Sequence, residues 1–175
     1  TYVSSPSFSV NKIANGLTQN EFDELINDDD KPFFDRAAQG RYSPASTIKP
    51  AIGLFGIDKD ILDWDYTIQD PGFFILPEDG RIYRGWKKGG HGEINLKDAI
   101  IESSNTFFFS LAYKTEIEGL RAHLSNFGFG KNVCDDCFMP DDGLLPSPRW
   151  KMNTHNFGWF KGDTVNMGVG QGYIN

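Results

Sequence analysis

The pattern of apolar and polar positions predicts a buried helix that runs through residues 51–57. Apolar residues dominate from Ala51 to Ile57, and Pro50 fits such a helix only in its first turn, where its missing N–H is no loss. This helix would place Ser46 at its N-terminus. Lys49 would follow one turn later on the same face.

A polar break separates two further predicted helices. We expect the first from Asn95 to about Glu102, the break at residues 103–105, and the second from Thr106. The second helix has a set of apolar residues at helical spacing: Phe107, Phe108, Leu111 and Ala112. A third stretch, residues 116–127, is amphipathic and ends at Gly128.

The remaining segments have weaker patterns. A short helix is predicted near residues 19–26, and the run of Asp and Lys-Pro at residues 28–32 indicates a solvated loop. Residues 63–92 combine Gly, Pro and aromatic residues, which predicts a hairpin with loops. The Gly-rich tail, residues 159–173, is predicted to form turns.

Composition and charge limit the function classes. The chain has 175 residues, 39% of them hydrophobic and 23% charged, which is typical of one globular domain. The formal net charge of −7 argues against a nucleic-acid partner, since phosphate binding needs a basic surface. No apolar run approaches the roughly 18 residues of a membrane span, and no secretory signal opens the sequence.

Neither the cysteines nor the glycines of the tail predict a cofactor. Cys134 and Cys137 form a single CxxC without a second pair, which is weak as a metal or redox motif, so a loop disulfide or two free thiols remain open. The glycines of residues 168–172 lack the strand-turn-helix context of a dinucleotide loop. We therefore expect no cofactor.

Ser46 and Lys49 are candidates for a nucleophile and its base. A serine hydroxyl is a poor nucleophile until a neighbour removes its proton, and a lysine can do so once burial favours its neutral amine. A helix N-terminus also favours an oxyanion formed there. Ser9 and Lys12 have the same spacing but a polar setting, so context and not spacing distinguishes the two pairs.

Ser103 and Asn105 form the second candidate pair, at the break between two helices. Asn105 could hydrogen-bond Lys49 and a substrate amide, and Ser103 could pass a proton to a leaving amine. The alternative is that both residues merely cap the helix that starts at Thr106. Their order after Ser46 and Lys49 favours the catalytic interpretation.

With these residues in this order, the chain resembles the penicillin-recognising serine enzymes, whose signature begins with SxxK and SxN. The likeness is strongest to the class B penicillin-binding proteins of bacterial cell elongation. It rests on segments in matching order over nearly the whole chain: residues 3–8, 36–42, 46–50, 70–72, 86–88, 90–92, 102–108, 162–164 and 168–173.

The resemblance implies an α/β (α+β) transpeptidase fold, like that of the serine β-lactamases, with helices packed on an antiparallel sheet. Residues 1–175 would be a partial transpeptidase domain. The Lys-Thr/Ser-Gly strand of the family is absent from this sequence and is expected beyond Asn175, so the C-terminal strands and the complete site would lie outside it.

The resemblance also implies a reaction and its partners. Ser46 would attack the D-Ala-D-Ala bond of a peptidoglycan stem peptide with Lys49 as base, and an amine of a neighbouring stem would take the acyl group. β-Lactam antibiotics would acylate Ser46 instead. The expected location is the periplasmic face of the inner membrane, with an anchor outside this sequence and with cell-elongation membrane proteins as partners.

Some members of the family carry an Asp, Asp, His, Cys zinc site beside the active centre. Asp70 and His91 match its first and third ligands, but Gly85 and Ser104 stand at the other two positions. Two ligands do not make a structural zinc site, so we expect no metal. His91 would then be a loop histidine hydrogen-bonded to backbone.

Two alternatives to the transpeptidase remain. A β-lactamase or D,D-carboxypeptidase would transfer the acyl group to water, but the Glu-x-x-Leu-Asn loop of the class A lactamases is absent from the sequence. A β-lactam sensor domain would share Ser46 and Lys49. The flanking segments that resemble the elongation enzymes argue against the sensor.

Overall fold

The computed structural model describes residues 3–137 and 140–175. The chain divides into two compact units. The first comprises Thr1–Arg41 and Asn132–Asp142, and the second comprises Tyr42–Lys131 and Gly143–Asn175. All four candidate catalytic residues belong to the second unit.

The described part of the first unit contains three short helices: α1 (Val10–Ala14), α2 (Gln19–Asn27) and α3 (Arg36–Gln39). The helix predicted near residues 19–26 is therefore confirmed. Ser9 caps α1 by accepting a hydrogen bond from the Lys12 amide at 3.4 Å, which explains the first Ser-Lys pair as a capping feature. A disulfide joins Cys134 to Cys137, which decides between the two states that the sequence left open.

The second unit combines helices with short strands. Its helices are α4 (Lys49–Asp58), α5 (Leu96–Ile101), α6 (Asn105–Tyr113), α7 (Ile117–Asn126), α8 (Pro148–His155) and α9 (Lys161–Met167). Its strands are β1 (Thr67–Asp70), β2 (Phe73–Ile75), β3 (Ile82–Arg84) and β4 (Gly92–Asn95). The predicted mixed fold class is confirmed.

The strands pair as two antiparallel two-stranded sheets within the described residues. One pairs β1 with β4, with Asp70 opposite Gly92, and the other pairs β2 with β3 as a hairpin. Because α5 and the following break come directly after β4, this pairing brings the end of β1 near the break between α5 and α6.

The core of the second unit surrounds α6, which is apolar on all sides and therefore buried. Its side chains pack with apolar residues from several other elements. The buried apolar residues of the helical part include Ile48, Ile52, Phe55, Phe107, Phe108, Leu111, Leu120, Leu124, Val165 and Met167. Each large side chain buried in this way contributes about 1.5–3 kcal/mol, so the ends of α4 and α6 are held firmly.

The prediction for the tail was wrong in part, because residues 159–173 contain α9 besides turns. Glycines at residues 162, 168, 170 and 172 weaken any helical pattern in this segment. Tertiary packing overrides that propensity, since Val165 and Met167 of α9 are fully buried. No helix within residues 3–137 and 140–175 has the length and apolar character needed to cross a membrane.

Candidate active site

Ser46 lies in a 3₁₀ turn, Ala45–Ile48, that runs directly into α4. The residue before it, Ala45, has a left-handed φ of 48°, an unfavourable conformation for a residue with a Cβ. The Ala45 amide donates a hydrogen bond of 2.9 Å to the carbonyl of Gly170. The turn thus presents Ser46 on an exposed surface while its backbone is fixed by the glycine-rich tail.

Gly170 explains why the tail is rich in glycine at this point. Its φ is 69°, and a Cβ placed on it would lie 2.2 Å from the Ala45 oxygen. No side chain can be accommodated at that distance, so only glycine allows the two backbones to approach. The prediction that these glycines do not form a dinucleotide loop gains a specific structural reason.

Lys49 is almost completely buried, with 2% of its surface exposed. Its Nζ donates hydrogen bonds to the Ser103 carbonyl at 2.8 Å, to Ser103 Oγ at 3.1 Å and to Asn105 Oδ1 at 2.7 Å. None of the ion pairs between described residues includes Lys49. A buried amine is therefore held by neutral acceptors alone.

Burial lowers the pKa of Lys49 from 10.5 to about 8. Desolvation penalises the charged ammonium, and no carboxylate offsets that penalty. At neutral pH an appreciable fraction of the molecules then carries the unprotonated amine that a general base requires.

The one-turn spacing predicts that the Lys49 amine reaches the Ser46 hydroxyl, but no hydrogen bond joins the two among the described residues. The reason is the number of donors. An ammonium has three N–H groups, and all three are taken by Ser103 and Asn105. The structure therefore brings Lys49, Ser103 and Asn105 together by direct contacts and places Ser46 one turn before Lys49 on the same chain segment.

The capping alternative for Ser103 and Asn105 was wrong, because Ser104 caps α6. Ser104 Oγ accepts a hydrogen bond from the Phe107 amide at 3.2 Å, and the helix begins at Asn105. Ser103 has a left-handed φ of 53°, which turns the chain between α5 and α6. The side chains on either side of the cap are consequently available for Lys49.

Behind this break lies a buried carboxylate that the sequence did not single out as part of the site. Asp70 Oδ2 accepts hydrogen bonds from Ser104 Oγ at 2.8 Å and from His91 Nδ1 at 2.6 Å, and Oδ1 accepts one from the Gly72 amide at 2.7 Å. Burial raises the pKa of Asp70, but these hydrogen bonds outweigh it and hold the pKa below 3.8. His91 thus bonds a carboxylate, and not backbone, through its side chain.

Comparison with known proteins places this arrangement in a family. The whole chain, residues 1–175, matches the penicillin binding protein transpeptidase domain. The chain belongs to this family. Its resemblance to the elongation enzymes is confirmed by curated relatives: it is 42% identical over 170 residues to the peptidoglycan D,D-transpeptidase MrdA of Acinetobacter baumannii and 36% identical over 171 residues to MrdA of Escherichia coli K12.

Solved structures of family members agree with the fold. The chain superimposes on Pseudomonas aeruginosa PBP2, solved in complex with WCK 5153, with a TM-score of 0.91 and 39% identity, covering 98% of this chain and 39% of that one. It matches Helicobacter pylori PBP2 in its complex with MreC with a TM-score of 0.84 and 32% identity, covering 91% and 30%.

The alignments cover nearly all of this chain but only a small part of each curated relative. The two MrdA alignments include 97% and 98% of this chain but only 25% and 27% of the relatives. The chain thus spans about a quarter of the length of those penicillin-binding proteins.

The zinc site of some penicillin-binding proteins does not fit the residues present here. Asp70 and His91 are the two candidate ligands; they are hydrogen-bonded to each other, and Asp70 also accepts a hydrogen bond from Ser104. No group of three or more metal-ligating side chains occurs among residues 3–137 and 140–175. Hydrogen bonds join Asp70 to His91 and to Ser104.

Sequence reasoning missed two supporting contacts of the site. It weighed Ser103 and Asn105 but not Ser104, although a small hydroxyl residue directly before a helix is the ordinary signal of an N-cap. No pattern in the sequence signals that Gly170 contacts Ala45, because the two residues are distant in the chain.

Proposed function

We propose that the chain supplies the nucleophile, base and proton-transfer residues of a peptidoglycan D,D-transpeptidase. The observation that carries the proposal is the buried Lys49, whose pKa is lowered to about 8 and whose amine is held by Ser103 and Asn105. Its family membership and its similarity to the MrdA enzymes give the reaction class.

In the first half-reaction, Ser46 Oγ attacks the carbonyl of the terminal D-Ala-D-Ala bond. The proton of the hydroxyl passes to the neutral Lys49 amine as the Oγ–C bond forms. The backbone N–H groups of the 3₁₀ turn around Ser46, which runs into α4, stabilise the oxyanion. Lys49 then returns the proton, through Ser103 Oγ, to the nitrogen of the departing D-alanine as the C–N bond breaks.

In the second half-reaction, an amine of a neighbouring stem peptide attacks the acyl carbonyl of the Ser46 ester. The amine gives up one proton to Lys49 while the new C–N bond forms. The ester bond then breaks and the Ser46 oxygen recovers the proton. The enzyme regains its starting state, and two stem peptides are cross-linked.

Stem peptides are thus the proposed substrates, and β-lactams would be trapped as acyl adducts of Ser46. The Helicobacter pylori relative was solved with MreC, which supports a protein of that kind as a partner of the elongation machinery. We place the activity at the periplasmic face of the inner membrane, where the cell wall is made.

The test uses the complete transpeptidase domain, which we expect from the family resemblance to include a Lys-Thr/Ser-Gly strand. The domain is treated with a fluorescent penicillin, and the labelled peptide is identified by mass spectrometry. We expect label on the Ser46 peptide, its loss in Ser46→Ala and no change in the matched control Ser9→Ala. Label on the Ser9 peptide, or undiminished labelling of Ser46→Ala, would refute the mechanism.

A further inference from the structure

Asp70 is a buried carboxylate at the end of β1, with 3% of its surface exposed. It has no Lys or Arg partner among the ion pairs of the described residues, and His91 at 2.6 Å is its one basic contact. Burying a carboxylate costs free energy unless hydrogen bonds compensate for the lost water. Here the compensation comes from Gly72, His91 and Ser104.

The proton positions follow from the chemistry of these groups. An ionised carboxylate only accepts hydrogen bonds, so His91 Nδ1 must carry its proton and Ser104 must donate its hydroxyl hydrogen. Ser104 Oγ then accepts from the Phe107 amide with a lone pair. The orientation of the fully buried Ser104 side chain is thereby fixed from both sides.

Ser104 lies directly between the two residues that hold Lys49. The Ser103 carbonyl, Ser103 Oγ and Asn105 Oδ1 are the three acceptors of the Lys49 amine. Ser103 is also in a left-handed conformation, with φ 53°, which costs free energy and persists only where its neighbours enforce it. Lys49 contacts Ser103 directly from one side, and the hydrogen bond from Ser104 to Asp70 anchors the neighbouring residue from the other.

We propose that Asp70, backed by His91, is a positioning residue that acts through Ser104 and needs no metal ion. It fixes the Ser103–Asn105 segment so that all three acceptors face Lys49. This proposal rests on the transpeptidase function proposed above. The hydrogen bonds of Asp70 go to Gly72, His91 and Ser104, and not to Lys49, so its effect on the reaction is indirect.

The negative charge of Asp70 lets Ser104 and His91 both donate to it. In Asp70→Asn, the amide oxygen can keep the Gly72 contact only if the NH₂ group faces Ser104 and His91, so both of these must become acceptors. The Ser104 hydroxyl hydrogen would then lose its partner, and the His91 proton would have to move to Nε2, which is buried and has no hydrogen-bond partner among the described residues. The segment would shift, water would reach Lys49, and its pKa would rise towards the ordinary value of 10.5.

The experiment measures the second-order acylation rate of the complete transpeptidase domain by a fluorescent penicillin between pH 6 and 10. We expect Asp70→Asn to lower the rate at pH 7 by about 10-fold to 10²-fold, the effect of a small misplacement of a catalytic group. We also expect the midpoint of the pH–rate profile to move to higher pH. Ser104→Ala, which keeps the other two hydrogen bonds of Asp70, should shift the midpoint in the same direction.

The matched control is Asp163→Asn. Asp163 is a carboxylate of the same unit that bonds Lys151 Nζ at 2.6 Å and the Phe160 amide at 2.7 Å, and none of the four candidate catalytic residues. Its loss should lower the melting temperature without moving the pH midpoint.

The double variant Asp70→Asn/Ser104→Ala should raise the activation free energy of acylation by less than the sum of the two single effects. The reason is that each substitution disrupts the same hydrogen bond between Asp70 and Ser104.

Metal independence is tested on the parent domain by dialysis against a chelator and by measuring bound zinc. We expect no stoichiometric zinc and an unchanged acylation rate. One zinc per chain together with loss of acylation on chelation would overturn the proposal. An Asp70→Asn variant with the parental rate and midpoint would overturn it equally.

A direct titration separates this proposal from the proposed function. The pKa of Lys49 is measured by NMR of the labelled lysine side chain, assigned with Lys49→Arg, in the parent domain and in Asp70→Asn. If Ser46 is never acylated, the transpeptidase mechanism fails, while a raised Lys49 pKa in Asp70→Asn would still support the positioning role. An unchanged Lys49 pKa would refute that role even if acylation proceeds. Should Asp70→Asn not fold, Ser104→Ala provides the same two measurements.

Discussion

Replacing Lys49 with Arg separates the proton-accepting role of this residue from its positive charge. Lys49 has a pKa of about 8 because it is buried without a carboxylate partner. An arginine keeps the charge but cannot lose its proton in a protein. If Lys49 is the base, Lys49→Arg must therefore abolish acylation of Ser46 even where the domain still folds.

The size of the effect follows from the pKa. At pH 7 a group with a pKa of about 8 is neutral in about a tenth of the molecules, whereas a pKa of 10.5 leaves about one in 3,000 neutral. Burial therefore raises the population of active base by about 300-fold. A positioned general base contributes about 10²-fold to 10⁴-fold, and we expect Lys49→Arg to lose at least 10³-fold, roughly the middle of that range.

The assay is the acylation rate with a β-lactam as a function of pH, in the complete transpeptidase domain. The parent rate should rise about tenfold per pH unit below pH 7 and level off above about pH 8. Lys151→Arg is the matched control, because Lys151 is also buried, at 5% exposure, but pairs with Asp163. Melting temperatures exclude unfolding. If Lys49→Arg reacts nearly as fast as the parent, Lys49 is not the base.

Two further substitutions probe the surroundings of the base and of the nucleophile. Asn105→Ala removes one of the three acceptors of Lys49 and should slow acylation by about 10²-fold to 10³-fold; an acylation rate equal to that of the parent would contradict this role. Asn105→Asp should move the midpoint of the pH–rate profile upwards, because a carboxylate beside Lys49 favours the ammonium. Gly170→Ala would place a Cβ 2.2 Å from the Ala45 oxygen and should slow acylation by about 10²-fold. Gly172→Ala has a similar φ of 81° but its nearest contact is 3.4 Å away, so equal rate losses in the two variants would show that backbone strain alone, and not displacement of Ala45, is responsible.

Much of the helical frame was predictable because its pattern is local. The segments that follow Lys49 and Thr106 are rich in apolar residues. α4 begins at Lys49, three residues after the predicted start at Ser46, and α6 begins at Asn105, one residue before the predicted start. The break at residues 103–105 was visible as a polar interruption between two apolar stretches. Lys49 and Asn105 are thus the first residues of two helices, while Ser46 lies in the preceding 3₁₀ turn.

The contacts that organise the site were not predictable, because they join residues distant in the chain. Asp70 and Ser104 are 34 positions apart, and only the pairing of β1 with β4 brings them together. The predicted hydrogen bond between Asn105 and the Lys49 amine is confirmed, at 2.7 Å, whereas no hydrogen bond joins Lys49 to Ser46 among the described residues. Spacing shows that Ser46 is one turn away, but it cannot show that three acceptors from the break between α5 and α6 compete for the same protons.

That competition assigns Ser103 a specific task in the proposed reaction. The Ser103 carbonyl and Asn105 Oδ1 can only accept hydrogen bonds, whereas Ser103 Oγ can accept from an ammonium or donate to a neutral amine. When Lys49 loses its third proton, its two remaining N–H groups can stay on the two carbonyl-type acceptors. The lone pair of Lys49 Nζ can then accept a hydrogen bond from the hydroxyl of Ser103 or from the hydroxyl of Ser46. Ser103 is thus the acceptor whose hydrogen bond can reverse without leaving a buried group unsatisfied, and for that reason the proton can leave Lys49 through Ser103 after it has arrived from Ser46.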